Sequence, residues 1–277
     1  MNRLSLEKRA AIVTALIEGN SVRATARMAG VSKDTARKLQ VEAGEMCEAY
    51  QDRVFRNLTC RRIQCDEIWS FCYAKAKNVT PEIAEKIAGA GDVWTWVAID
   101  ADTKLIPCWL VAGRGAEAAY SFMQDLASRL ASRVQITTDG HRAYLNDVED
   151  AFGAGVDYAM LVKIYGSDAT DTRYSPPECI SCRPQAITGN PDPRHISTSM
   201  VERQNLSMRM RIRRFTRLTN AFSKKVENHI ASVALYFMHY NFCRVHQTLR
   251  VTPCMEAGIT DHVWSVEEML TAIEKPN

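Results

Sequence analysis

Apolar positions recur at helical spacing at both ends of the chain and at strand spacing in its middle. Leu6 to Glu18 places Ala11, Ile12, Ala15 and Leu16 near one face, and Gly19-Asn20 stops it. Ser21 caps a second helix, Val22 to Met28, and Gly30-Val31 turns the chain. Ser32 caps a third, Lys33 to Glu42, with Asp34 placed to favour its dipole. Residues 45–59 read as a linker of helical character. Strand-like runs follow at 61–73, 92–100 and 104–111, the last two joined by the turn Asp100-Ala101-Asp102-Thr103. Next come an amphipathic helix, Ala116 to Ser132, a strand at 134–138, a helix near 141–152 and a strand at 157–164. This order predicts an α/β fold, a mixed sheet covered by helices. Residues 165–196, with Pro176, Pro177, Pro184, Pro191 and Pro193, read as a long irregular insertion. Long helices are expected at 197–219 and 223–241, then a tail whose Ser265 and Glu268 have capping-box spacing. No internal repeat is visible.

Charge sharpens this picture. The 277 residues suffice for a medium domain plus a small one and carry a net charge of only +3. That charge is uneven. Met1 to Gly44 carries eight Lys/Arg against four Asp/Glu, and Arg203 to Lys225 carries eight Lys/Arg and no acid, which leaves the remainder at −9. Two basic blocks on an acidic body point to polyanion contacts at two places. In the first block, a short helix, a Gly-containing turn and a basic third helix have the form of an all-α helix-turn-helix. Lys33, Thr35, Arg37 and Lys38 of that third helix are the residues to face a DNA groove. The nine scattered cysteines, an odd count with no secretory signal, point to a reduced cytoplasmic protein. No run approaches the roughly 18 apolar residues of a membrane span, so no membrane partner is expected.

Three acids carry the candidate chemistry. Asp66 lies inside the apolar run Arg61–Tyr73, Asp139 ends the run Val134–Thr138 just before Gly140, and Glu202 opens the basic helix. A carboxylate in or at the tip of a buried strand is costly unless paired. A divalent cation makes three converging carboxylates favourable, and two such ions stabilise both oxygens of an in-line displacement at phosphorus. All-oxygen ligands and a phosphate substrate suit Mg²⁺, with Mn²⁺ able to substitute. Alternation along the strand puts Asp66 and Glu67 on opposite faces, and parity alone does not choose between them. Glu202, Asn205 and Arg209 share one helix face, so Asn205 and Arg209 are placed to hold phosphate or orient the strand. Arg213, Arg214 and Arg217 continue the basic run as DNA contacts. The opposite stripe, Val201, Met208, Ile212 and Phe215, has the character of core.

Three segments resemble the acid motifs of DDE transposases: Cys65-Asp66-Glu67-Ile68-Trp69-Ser70-Phe71, Thr138-Asp139-Gly140-His141-Arg142-Ala143-Tyr144 and Ser199-Met200-Val201-Glu202-Arg203-Gln204-Asn205. The nearest match is the insertion-sequence-one type of bacterial transposase. Arg213 to Glu227, Tyr240 to Leu249 and Thr252-Pro253 extend the resemblance over about residues 60–255. It implies an RNase H-like core at 60–245 holding the insertion, a helix-turn-helix region at 1–44, the linker and a tail at 246–277. It also implies that Asp66, Asp139 and Glu202 are catalytic metal ligands, with Asp66 rather than Glu67 as the first. The implied activity is metal-dependent cleavage at mobile-element ends and strand transfer into target DNA. The implied partners are double-stranded DNA (element ends and target) and further copies of the chain on DNA, in a bacterial, nucleoid-associated setting. Better-known members begin with a cysteine-rich zinc module, whereas the first 44 residues here contain no cysteine.

Other readings stand beside this one. A DNA-binding regulator derived from an inactive or domesticated transposase would keep the basic regions, and an RNase H-like nuclease would cut without joining. Cys179-x-x-Cys182, with His195, is an incomplete zinc set that needs Cys60 or Cys65 to close it. Trp69, Trp94, Trp96 and Trp109 fall in strands as core, and His239 and His246 read as structural.

Overall fold

The computed structural model describes residues 4–166, 179–216 and 220–275. Helix α1 (Leu6–Ile17), α2 (Val22–Ala29) and α3 (Lys33–Val54) open the chain. Each begins at a serine whose hydroxyl accepts an early backbone N–H: Ser5 from Lys8, Ser21 from Ala24 and Ser32 from Thr35. Gly30 ends α2 in the left-handed region, φ 60°, which supplies the turn into α3. The third helix does not stop near Glu42. It runs 22 residues, across the expected boundary at 44/45 and through most of the expected linker. Gly44 explains how it continues, because there α3 presses on the long helix α8 (Val226–Phe242). A Cβ on Gly44 would lie 2.6 Å from the Cα, Cβ and O of Ala231.

The centre is a six-stranded sheet: β1 (Arg62–Cys72), β2 (Gly91–Asp100), β3 (Cys108–Ala112), β4 (Val134–Asp139), β5 (Val156–Tyr165) and β6 (Cys179–Thr188). Their order is β3-β2-β1-β4-β5-β6. β1, β2 and β3 are antiparallel, β4 runs parallel to β1 and β5, and β6 is antiparallel to β5. The first five strands form the mixed sheet of the α/β fold the sequence predicts, with β1 between antiparallel β2 and parallel β4. The turn after β2 is held by the Asp100 carboxylate, which accepts from Asp102 and Thr103.

Helices cover both faces, and the short helix α4 (Pro81–Lys86) lies between β1 and β2 in the chain. α5 (Ala116–Arg129) and α6 (Tyr144–Phe152) bury Phe122, Met123, Leu126, Tyr144 and Val148 against Ile63, Cys65 and Trp96. On the other face α7 (Ser199–Arg211) and α8 bury Val201, Met208 and Phe237 against Ile68, Val97 and Ile99, with Ile212 and Phe215 just beyond α7. The stripe expected as core is therefore core. Short helices α9 (Pro253–Glu256) and α10 (Val266–Ile273) close the chain. Ser265 caps α10 by accepting from Glu268, and Glu274 just beyond α10 pairs with Arg9 of α1.

The expected irregular insertion is half overturned. Residues 179–188 form β6, exposed along most of its length at the edge of the sheet. Pro184 lacks a ladder N–H, a defect an edge strand tolerates, so its presence did not exclude a strand. Pro176 and Pro177 lie outside the described residues. The long helix expected over 197–219 stops at Arg211 and is followed by a 3-10 turn, Arg213–Phe215, which folds Phe215 back into the core.

Candidate metal centre

The site lies where β1 and β4 run side by side. Cys65 pairs with Thr138 in that parallel ladder, so Asp66 and Asp139 follow at neighbouring positions. The faces of β1 are set by what packs on each. Gln64 and Asp66 turn toward α7. The Gln64 side-chain oxygen accepts the N–H groups of Met200 (2.8 Å) and Val201 (3.3 Å), and Asp66 Oδ2 accepts from Asn205 Nδ2 at 2.9 Å. Gln64 thus pins the first turn of α7, one residue before Glu202. Glu67 turns the other way, toward α6, its side chain fully buried and Oε2 accepting from Arg114 Nε at 3.2 Å. Asp139 Oδ1 accepts the His141 N–H at 2.9 Å, a local turn that fixes the carboxylate at the strand tip.

Carboxylate oxygens of Asp66, Glu67 and Asp139 lie within 4.8 Å of one another. Such crowding has an electrostatic signature. Burial, then the charges of Asp139 and Glu67, push Asp66 up to about 7. Burial also pushes Glu67 up to about 7, with Tyr144 and Arg114 opposing and Asp139 adding. A hard divalent cation is the natural relief, because the donors are all oxygens and the ionised acids repel without one. The residues present therefore fit a metal ion.

Glu202 lines the same cavity, about 620 Å³, together with Asp66 and Asp139, but its carboxylate is held to one side by Lys163 and Thr198. Burial alone would lower the Lys163 ammonium; the Glu202 carboxylate more than offsets this and holds it above its usual range. Arg114 and Arg142 also line the cavity, and Arg114 stacks 4.4 Å over the Trp94 ring. The structure thus brings Asp66 and Asp139 together, adds Glu67 as their close neighbour, and sets Glu202 beside them on a lysine. Glu67 and Lys163 carried no distinguishing signal in the sequence. One was half of an acid doublet, and the other was a strand lysine whose partner lies 39 positions away.

The residues expected to touch DNA divide. Lys33, Thr35, Arg37 and Lys38 are exposed on the first turns of α3. Thr35 shares a hydrogen bond with the cap Ser32, Arg37 pairs with Asp34, and Lys38 with Glu42. Arg213 is exposed, whereas Arg214 turns inward to donate to Gln40 (2.8 Å) and Ser223 (2.7 Å), and burial pulls its guanidinium down to about 10. Asn205 is buried on Asp66, Arg209 is half-buried, and Arg217 lies outside the described residues. Arg23, Lys33 and Arg37 share a cavity of about 530 Å³ with Arg213, Arg214 and Lys224, so the two basic blocks meet.

The zinc set is not assembled. His195 bonds Arg62, at the end of the sheet where β1 and β4 begin, while Cys182 lies opposite Lys163 near the end of β5. Cys60 and Cys65 are buried in the core. Of the tryptophans, Trp96 is buried and the other strand tryptophans are half-buried. Burial lowers His239 to about 4, consistent with a structural place.

No protein-family model matches the chain, and no curated protein matches it. Among solved structures it is similar to a Mos1 transposase paired-end complex with left transposon end, at 15% identity and a TM-score of 0.26, over 57% of this chain and 60% of that one. It is similar to a piggyBac transposase synaptic complex with hairpin DNA, at 12% identity and a TM-score of 0.43, over 97% of this chain and 69% of that one. A Mos1 strand transfer complex matches at 13% identity and a TM-score of 0.24, over 85% of this chain and 78% of that one. The match thus covers less than two thirds of the first of these chains.

Proposed function

We propose that the chain is a DNA transposase of the DDE type, akin to bacterial insertion-sequence enzymes, which cleaves DNA at element ends and transfers the freed strand to target DNA. The observation that carries this reading is the meeting of Asp66 and Asp139 on adjacent parallel strands, with Glu202 brought into the same cavity by α7. In this reading Asp66, Asp139 and Glu202 hold Mg²⁺ or Mn²⁺. Bound ions would acidify the attacking water or 3′ hydroxyl and stabilise the leaving oxygen. Asn205 fixes the rotamer of Asp66, and Gln64 fixes the register of α7, so that the acids are positioned before substrate arrives. Arg114 and Arg142 bring positive charge to the cavity wall, where a phosphodiester would lie. The basic cavity between α3 and the segment after α7 serves as the DNA backbone contact, with Arg37 and Arg213 in place of the inward-turned Arg214.

The test uses a supercoiled plasmid carrying the gene with its native flanking DNA, in Mg²⁺ or Mn²⁺, with Asp139→Asn beside the wild type. Nicks and joints at the flanks that need metal, and are reduced at least about a thousandfold in Asp139→Asn, are expected. Scattered nicks would favour a nuclease, and binding with no cleavage by either protein would favour a regulator.

A further inference from the structure

Seven of the nine cysteines are buried or half-buried; Cys179 and Cys182 are the exposed two, and they stand together. Their Sγ atoms lie 3.8 Å apart, close enough to share a hydrogen bond in which either thiol is the donor. On a regular strand, residues three apart point to opposite faces. Here the β5–β6 ladder is irregular between Ile164 and Tyr165. Ile164 pairs with Ser181 and Tyr165 with Cys179, so Ile180 is an extra residue. That bulge turns the two thiols to one side, the re-aiming of side chains that bulges at sheet edges produce. The partners across the ladder are Tyr165 for Cys179 and Lys163 for Cys182, and both partners line the acid cavity.

A metal does not suit this pair. Among the described residues no third histidine, cysteine or carboxylate joins the two sulfurs, and the nearby Lys163 and Glu202 already bind each other. A thiophilic ion with two ligands would be left under-coordinated. Covalent closure asks for little. A disulfide bond is about 2.05 Å long, so each sulfur has to move by only about 1 Å, at the exposed end of an edge strand.

We propose that Cys179 and Cys182 form a redox-active dithiol that closes to a disulfide by exchange with a small-molecule disulfide, at the rim of the acid cavity. In the first step one thiol loses its proton and its sulfur attacks the reagent RSSR. A mixed disulfide forms, and RS⁻ leaves and takes up the proton. In the second, the neighbouring sulfur attacks the protein sulfur of that mixed disulfide, and the second RS⁻ leaves with the second proton. Two protein thiols and RSSR become one protein disulfide and two RSH. The protein gives up two electrons and the reagent accepts them. Closure tethers the strand position opposite Lys163, the residue that holds Glu202 aside.

The experiment treats the full chain with oxidised glutathione, quenches it in acid, alkylates the remaining thiols after unfolding and maps peptides by mass. This readout is independent of any action on DNA. In the wild type, the peptide holding both cysteines should escape alkylation and weigh two hydrogens less, while the buried cysteines remain alkylated. Cys179→Ser and Cys182→Ser should each stop at the mixed disulfide. They should carry roughly tenfold more glutathione adduct than the wild type, because no second thiol resolves it. Both positions are exposed, so an unchanged melting curve establishes that the variants are folded. Separate glutathione adducts on both cysteines of the wild type would overturn the proposal. So would full alkylation of both cysteines in the wild type after the treatment.

Discussion

Burial, and then the approach of Asp66 and Glu67 to Asp139 from opposite faces of one strand, make the centre electrostatically expensive when no cation is bound. Folding raises Asp66 from 3.8 to about 7. Between those values the folded chain therefore binds more protons than the unfolded one. The stability linked to this group is fully present below about pH 4 and is lost as pH rises through about 7. Asp66→Asn should consequently stabilise chelator-treated protein at pH 8 by roughly 1–3 kcal/mol and leave it nearly unchanged at pH 4. Thermal melts in chelator at both pH values check this, and a gain of equal size at both would refute the charge explanation. Asn205 acts on the same carboxylate by a hydrogen bond alone. On the proposed function, Asn205→Ala should weaken Mn²⁺ binding by about tenfold, read by calorimetry, because Asp66 loses the partner that orients it. The acid inside β1, the acid that ends β4 and the acid opening the basic helix were visible in the sequence. Glu67 was visible too, but its reach to Asp139 was not, because alternation describes where a side chain starts and not where a long carboxylate ends.

At the scale of elements, helix starts were the most readable feature, since Ser21, Ser32 and Ser265 each accept the N–H that capping demands. Helix ends were less so. α3 runs to Val54 because α8 lies along it, and Gly44 is where the two backbones meet. Gly44→Ala should cost about 2–3 kcal/mol in urea unfolding, even though alanine favours an isolated helix. The added methyl meets the Ala231 backbone, which cannot swing aside as a side chain would. An unchanged midpoint would mean that α3 and α8 do not press together there. β6 escaped the sequence reading for a related reason. Its exposed, proline-containing run lacks the apolar alternation of a half-buried strand and is held by its ladder to β5.

At the scale of the molecule, the two basic blocks are separated by more than 150 residues in sequence yet face one cavity. On the proposed function, Arg37→Ala and Arg213→Ala should each weaken DNA binding regardless of sequence and lower the slope of log K against log salt by about 1. Arg214→Ala should instead lower the melting temperature, since its guanidinium bonds Gln40 and Ser223. Fluorescence anisotropy over a salt series, with melts alongside, separates the two classes. Unaltered slopes in Arg37→Ala and Arg213→Ala would move the DNA contact elsewhere.

Taken alone, the sequence determined the α/β order of elements, the strands that carry Asp66 and Asp139, the helix that carries Glu202 and the uneven charge. These follow from local periodicity, capping and composition, which act over a few residues. Tertiary structure decided which face of β1 meets α7, that Lys163 holds Glu202, that Arg214 turns inward, and that a bulge sets Cys179 beside Cys182. Each of these depends on residues distant in the chain being packed together, and burial and pairing at such contacts leave no periodic trace in the segment that makes them.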